Sequence, residues 1–570
     1  MSESVWRISK DEATGEQGMV VARDPHAARV GLAVLRRGGN AVDAAVTMAF
    51  TLGVVEPGSS GLGGGGMMVV HETAKGRSTV VDYAMDAPLA AGPDTFELED
   101  GKGVSSFGWR KVKDEANILG HRSASIPGAV RGLALALERF GTLSLGEALA
   151  PAIRFAEEGV DVDVTLAWGT AMTMPVLTRF PATAAIFLPR GYPLRNGGGF
   201  GPTDRLVQRD LGQTLRRIAA VGPNAFYQGE LAQRIAGHVQ ENGGLISEED
   251  LARYQPTVYD GGQVTTYRGH QIVGVPGACG SITAQQGLNI LEGFDLPPSG
   301  TVERLHLQAE AFRLAFADRY CWMGDPKQPH VPWRGLLSKE YAEERRAEID
   351  PTRAAVAVGP GSPHRFDGTT PSSRAAAAVP APIGGSTTHL TVVDKDRNVV
   401  SLTQTLVNHF GSGVVVPGTG VLLNNAMSWF DPEPDRVNSL APGKRGLNNM
   451  SPLVVLRDGR PIMAVGAAGG RKIIHAVAQI VGNVIDDGMG IQDAIAAPRL
   501  DCSGMSVLAN ARFPKAAIAG LGELGHGVEV AEESFFRYPF STALGVLVDH
   551  ETGTLHGGVD PYQVALAVGY

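Results

Sequence analysis

Ser386-Thr387-Thr388-His389-Leu390-Thr391-Val392-Val393-Asp394-Lys395-Asp396-Arg397-Asn398 decides how this chain is read. From Thr387 onward, polar Thr387, His389 and Thr391 alternate with Leu390 and Val392, the period-two pattern of a strand with one apolar face. Asp394 to Asn398 carries turn residues, and Val399 to Leu406 reads as the returning strand. With the turn centred on Asp396, Thr387 faces Thr405 across the hairpin, close enough for the side chains to bond. Upstream, from about Ala354, periodicity gives way to Ala, Gly, Pro and Ser. A low-complexity linker over 354–386 therefore runs straight into a strand that begins with threonine.

A threonine hydroxyl is a weak nucleophile until a base takes its proton. A cut just before Thr387 would create an α-amine with an unperturbed pKa of about 7.7–8.0. Nucleophile and base would then share one residue. The alternative is a surface linker entering an ordinary hairpin, which on local pattern alone is the commoner arrangement. A linker this long is unusual inside a compact domain without a purpose, and release after cleavage supplies one.

At 570 residues the chain has room for two or three domains on length alone. Its 43% hydrophobic and 19% charged residues describe an ordinary globular protein. A net charge of −9 offers no basic footprint for nucleic acid or an anionic membrane. The most apolar stretch, Ala41 to Val55, is too short to span a bilayer and carries Asp43. The first residues are polar and acidic with no hydrophobic signal core, which predicts the cytoplasm. Cys279, Cys321 and Cys502 are few, odd in number and far apart, as expected of reduced thiols packed in the core. No Cys or His spacing suits zinc, and no cofactor or metal is expected.

Residues 1–18 read as a disordered tail. Asp24-Pro25 starts a helix, which Gly38-Gly39 stops, and Asn40 caps a second helix that is apolar nearly all round. Gly61–Gly66 lacks the Lys-Ser/Thr ending of a phosphate loop and opens no helix. Close backbone packing near a pocket is its better reading. Strands are expected near Met67–His71, Ser78–Tyr83, Gly413–Pro417, Val421–Leu423, Pro452–Leu456, Pro461–Val465, Val528–Val530 and Ala543–Val548. Helical patterning dominates Ala129 to Gly244, and Ser247 with Asp250 forms a capping box. Gly469-Gly470 sits between a strand and a helix N-terminus, where N–H groups and the helix dipole point outward. The class is α/β.

The junction before Thr387-Thr388-His389 resembles that of the γ-glutamyltransferase family, N-terminal nucleophile hydrolases made as self-cutting precursors. Blocks similar to the family's recur in order from Met19 to Tyr570. They include GGNAVDAAV (Gly38–Val46), GLGGGG (Gly61–Gly66), SIPGAVRGL (Ser125–Leu133), GPNAFYQG (Gly222–Gly229), AFADRYCWMGDP (Ala315–Pro326), GVLLNNAM (Gly420–Met427) and MSP (Met450–Pro452). The resemblance implies a four-layer αββα sandwich built as one unit from two fragments. Residues 19–386 form the large one and 387–570 the small one, with cleavage between Ser386 and Thr387. It also implies that Thr387 is the nucleophile, that Thr405 bonds it, and that Gly469 and Gly470 hold the oxyanion. His389 completes the motif without a catalytic role. The partners implied are a small-molecule amide and the two fragments as a heterodimer, which could itself pair.

The chain departs from the family where a γ-glutamyl head would be gripped. The expected arginine is Ala84, the expected asparagine is Val407, and the Gln and Asp near LLNN are Ala426 and Trp429. The paired serines are Asn448 and Asn449. A zwitterion left unpaired in a pocket is costly, so Val407 and Trp429 predict a less charged acyl group, such as glutaryl. Asn448 and Asn449 retain hydrogen-bonding capacity. The short segment Phe430 to Pro442 predicts an open pocket that admits bulky amides. A γ-glutamyl hydrolase or transferase is the alternative, and a non-catalytic relative is a second.

Overall fold

The computed structural model describes residues 7–101, 104–105, 108–328, 330–371 and 385–570. Two seven-stranded antiparallel sheets face each other. The first is ordered Leu566–Gly569, Met19–Ala22, Ser386–Val393, Val399–Val407, Gly65–Glu72, Arg77–Tyr83 and Thr257–Asp260. The second is ordered Ala13–Gly15, Leu555–Val559, Thr542–Val548, Arg460–Ala468, Leu453–Arg457, His270–Gly274 and Gln263–Tyr267. Helices Pro25–Arg36 and Ala41–Val55 cover the outer face of the first sheet, and helices Gly280–Glu292, Val302–Trp322 and Lys472–Ile485 cover the second. This is the expected four-layer αββα sandwich.

The hairpin of Ser386–Val393 and Val399–Val407 lies in the middle of its sheet, so both its faces are buried. The alternation in Thr387 to Val392 therefore marks two different buried surfaces. Leu390 and Val392 meet the helices, while the polar residues face the second sheet. There His389 bridges Thr403 Oγ1 at 2.9 Å and Thr391 Oγ1 at 3.0 Å. Its ring fills the space opposite Gly466, where a Cβ would stand 2.2 Å from it. Its role is structural.

The expected register holds from Val393↔Val399 to Thr388↔Gln404, and then a bulge shifts Ser386 opposite Val407. The glycine run is explained by close approach: a Cβ on Gly64 would lie 2.3 Å from Thr405 O, and one on Gly66 2.6 Å from Thr403 O. These glycines pack against the strand that carries Thr405 and do not wall the main cavity beside Thr387.

Several expectations change. Ala13–Gly15 pairs with the strand Leu555–Val559, and Lys10 Nζ donates to Gln563 O and Ala565 O, so residues 7–18 are not a disordered tail. Short polar strands that add to an existing edge carry little periodicity of their own. Of the 354–386 stretch, residues 354–371 lie along the surface, with Pro363 and His364 buried and Trp322 Nε1 donating to Gly361 O at 2.9 Å; residues 372–384 fall outside the described ones. The strand expected at Gly413–Pro417 shrinks to Val415–Val416. The hairpin Gln263–Tyr267 with His270–Gly274 has no counterpart among the expectations. Among the described residues, no helix is long and apolar enough to cross a membrane.

The capped helices are as expected. Asp24 accepts from His26 N and Ala27 N, and Asn40 with Asp43 forms a reciprocal capping box. Asp43 does more than cap. Wholly buried, it accepts from Asn40 N (2.9 Å), Thr142 N (2.7 Å), Thr142 Oγ1 (2.7 Å) and Leu143 N (2.9 Å). Asp43→Ala takes the shared acceptor from all four donors at once and is expected to cost about 3 kcal/mol, read as a lower denaturant midpoint.

Candidate active site

The bulge at the start of the strand Ser386–Val393 brings the Ser386–Thr387 peptide against Thr405. Thr405 Oγ1 donates to Ser386 O at 2.5 Å and accepts from Val407 N at 2.7 Å. Thr387 Oγ1 donates to the same hydroxyl at 3.3 Å. Val407 stands at φ +85°, a left-handed conformation unusual for a β-branched residue. Its backbone N–H is thereby turned onto Thr405. Thr387 and Thr405 are both buried.

Arg23, at the end of the neighbouring strand, donates to Thr387 O and pairs with Glu56 at 3.0 Å. Burial raises the Glu56 carboxyl above its ordinary range while Arg23 pulls it back down. On the other side, Ser386 Oγ lies 2.8 Å from Ser59 Oγ and 3.2 Å from His409 Nδ1. Burial, with the positive charge of Arg23 beside it, lowers His409 to about 4.

Gly469 and Gly470 form the turn between the strand Arg460–Ala468 and the helix Lys472–Ile485, at φ +139° and +66°. A Cβ at Gly469 would lie 2.9 Å from Ser541 Cα, so both conformation and space require glycine. Among the described residues, neither glycine's N–H is bonded to an acceptor. Gly385 packs on Gly470, where a Cβ would come within 2.9 Å of its Cα.

A cavity of about 260 Å³ opens beside Thr387 and reaches Ser386, Gly469, His409 and Arg23. Its mouth carries Trp168, Met172 and Tyr538, which are 39%, 62% and 39% exposed. A much smaller cavity on the far side of Gly385 is walled by Val407, Trp429, Asn449 and Gly470. Gly385 and Thr387 line both cavities.

Thr387, Thr405, Gly469 and Gly470 are thus brought together, with Val407, Trp429 and Asn449 beside them. Two residues expected to touch substrate do not line either cavity. Ala84 is buried in the core, its carbonyl accepting from Tyr254 OH at 2.8 Å. Asn448 spends its side chain on Ala278 O and Met450 N, at 2.7 and 3.1 Å. Asn449 Oδ1 accepts from Arg319 at 2.9 Å, an arginine that burial lowers to about 10. Arg23, Glu56, Ser59 and His409 had not been singled out. Their one sequence signal is polarity interrupting apolar runs, in Ala22-Arg23-Asp24-Pro25, Val55-Glu56-Pro57-Gly58-Ser59 and Leu406-Val407-Asn408-His409-Phe410. Among the described residues no group of three or more His, Cys, Asp or Glu could hold a metal ion.

Facing antiparallel sheets between helical layers, with a buried threonine at the head of a central strand, define an N-terminal nucleophile hydrolase. The profile of the family described as Gamma-glutamyltranspeptidase matches residues 27–570. "Acylase ACY 1 proenzyme" of Pseudomonas sp. (strain SE83) is 39% identical over 527 residues, covering 92% of this chain and 89% of that protein. "Glutathione hydrolase proenzyme" of Bacillus subtilis (strain 168) is 35% identical over 567 residues, covering 98% of this chain and 92% of that protein. The crystal structure of cephalosporin acylase from Bacillus halodurans superposes with a TM-score of 0.86 at 30% identity, over 100% of this chain and 99% of that one. The chain belongs to the γ-glutamyltranspeptidase family and is an enzyme of its hydrolase and acyltransferase type.

His389 gives this site a measurable acid sensitivity. Burial lowers it from 6.5 to about 3, so it is neutral when folded while the unfolded chain takes up a proton. Its contribution is complete above pH 6.5 and is lost as pH falls towards 3. Stability measured between pH 6 and 4 should show close to one fewer proton taken up on unfolding in His389→Gln than in the wild type.

Proposed function

We propose that the chain cuts itself between Ser386 and Thr387 and that the new N-terminal threonine then hydrolyses an amide through an acyl-enzyme. The observation that carries this reading is the Thr405 hydroxyl, which bonds the Ser386 carbonyl while facing Thr387 Oγ1. In the first phase Thr387 Oγ attacks the Ser386 carbonyl carbon, and its proton passes to the departing nitrogen of Thr387. The peptide C–N bond breaks, leaving an ester on Oγ and an amine on Thr387. Water then hydrolyses the ester, giving Met1–Ser386 with a carboxylate and Thr387–Tyr570 with its hydroxyl restored. The fragments stay together because each sheet draws strands from both.

In the second phase the α-amine of Thr387 takes the Oγ proton and Oγ attacks the substrate amide. Gly469 and Gly470 offer their N–H groups to the oxyanion, a contribution worth about 3–4 kcal/mol for one good donor. The acyl group then passes to water or to an acceptor amine.

Val407 and Trp429 wall the small cavity, whose lining among the described residues offers a charged amino-acid head no oppositely charged partner. The larger cavity has an apolar mouth, and its arginine is already paired with Glu56. Both features support a less charged or more apolar acyl group, such as glutaryl, over a γ-glutamyl one, as does similarity to a relative named an acylase. Similarity to a glutathione hydrolase proenzyme supports the second reading, γ-glutamyl hydrolysis or transfer.

Purified protein should run as two bands in about a two-to-one size ratio, and Edman sequencing of the smaller should begin Thr-Thr-His. Thr387→Ala should stay a single chain without amidase activity; full activity in that variant would refute the nucleophile. On the matured enzyme, glutaryl p-nitroanilide should turn over faster than γ-glutamyl p-nitroanilide. The reverse order would favour the second reading.

A further inference from the structure

The residue before the proposed cut is held from both sides. Ser386 Oγ stands between Ser59 Oγ, at 2.8 Å, and His409 Nδ1, at 3.2 Å. Ser59 belongs to the loop after the helix Ala41–Val55 and His409 to the loop after the strand Val399–Val407. Backbone bonds lock these loops together: Leu406 N donates to Ser59 O at 3.0 Å and Phe410 N to Gly58 O at 2.8 Å. The His409 ring is fixed between Gly58 and Gly169, where a Cβ would stand 2.3 and 2.2 Å from it. Among the described residues its Nε2 has no hydrogen-bond partner, so the contact of Nδ1 with Ser386 is the ring's one side-chain hydrogen bond.

A serine side chain makes little demand on packing, so two fixed partners on one hydroxyl act mainly on its orientation. They set the rotation of the residue whose carbonyl is to be attacked. Thr405 holds that carbonyl, and Arg23 holds the next one, Thr387 O. Hydroxyl, carbonyl and following carbonyl are thus each tied to a different element of the fold. Placing reacting atoms in this way converts an entropic cost of reaction into one met during folding.

The geometry points to Ser59 and His409 as positioning residues for self-cleavage: they clamp the Ser386 side chain so that its carbonyl carbon faces Thr387 Oγ. This inference rests on the cut proposed above. It extends the reaction to residues on two loops outside the hairpin.

The test follows pulse-labelled full-length chain from cell-free synthesis on denaturing gels. Ser386→Ala, Ser59→Ala and His409→Phe are each expected to slow fragment appearance tenfold or more, without lowering the precursor's melting midpoint to match. Ser386→Thr, which keeps the hydroxyl, and His409→Asn, which returns a polar atom near the Nδ1 position, should recover most of the rate. Because Ser386 and His409 share one contact, Ser386→Ala combined with His409→Phe should be little slower than either alone. Unchanged rates in all three single variants, or strictly additive losses, would overturn the clamp while leaving the cut intact. A wild-type chain that never cuts would overturn both. If His409→Phe fails to fold, the pair Ser386→Ala and Ser386→Thr decides alone, and equal rates in those two count against the clamp.

Discussion

One hydroxyl ties the hairpin, the bulge and the Ser386–Thr387 peptide together. Thr405 Oγ1 has a single proton, given to Ser386 O, and two lone pairs, which receive Val407 N–H and Thr387 Oγ–H. Its capacity is fully used. An ideal register would place Thr387 squarely across from Thr405, but the bulge moves Ser386 opposite Val407 instead. Bulges re-aim side chains at the ends of strands. Here the effect is to swing the Ser386 carbonyl onto the hydroxyl that also receives Thr387. The strained φ of Val407 accompanies this arrangement, as strain commonly does at sites where geometry matters more than comfort.

Holding such a peptide still requires a rigid frame, and the sandwich provides one at a polar interface. The surface between the sheets contains His389, Thr391, Ser401 and Thr403, all buried. Each polar group of His389 is satisfied by a threonine hydroxyl, and Ser401 Oγ reaches across to Val465 O at 3.2 Å. A satisfied polar network specifies one sheet-to-sheet alignment, whereas a uniformly apolar one would tolerate sliding. Gly469 belongs to the second sheet's end and Thr387 to the first. Their separation is therefore only as fixed as that alignment. The buried imidazole contributes to function through geometry, and its cost appears as sensitivity to acid.

Much of this was legible in the residues. The period-two pattern and the turn at Asp394–Asn398 located the hairpin and its register, because a two-stranded pairing is a local property. Asp24, Asn40 and Ser247 marked helix starts for the same reason. The chemistry of Ala84 and Asn448 was misjudged, since which way a side chain points depends on distant neighbours such as Tyr254 and Ala278. Arg23, Ser59 and His409 lie 364, 327 and 23 residues from their partners at the junction. No local pattern can announce such a meeting. Edge strands such as Ala13–Gly15 were missed because three residues carry too little periodicity to read.

The electrostatics of the main cavity follow from the same long-range placement. Arg23 is the one arginine among the described residues that line it, and it is committed to Glu56, to the Thr387 carbonyl and to Gln563 Oε1. A carboxylate entering from solvent would have to displace Glu56, a partner already desolvated and held 3.0 Å away. An ammonium that drew Glu56 from Arg23 would leave that guanidinium buried and uncompensated, whereas Asp24 and Asp163, which also line the cavity, are the carboxylates it meets without disturbing the pair. A neutral group disturbs neither. Apolar contact with Trp168, Met172 and Tyr538 would add to its binding. In the main cavity an uncharged substituent therefore meets less opposition than one that has to compete for Arg23.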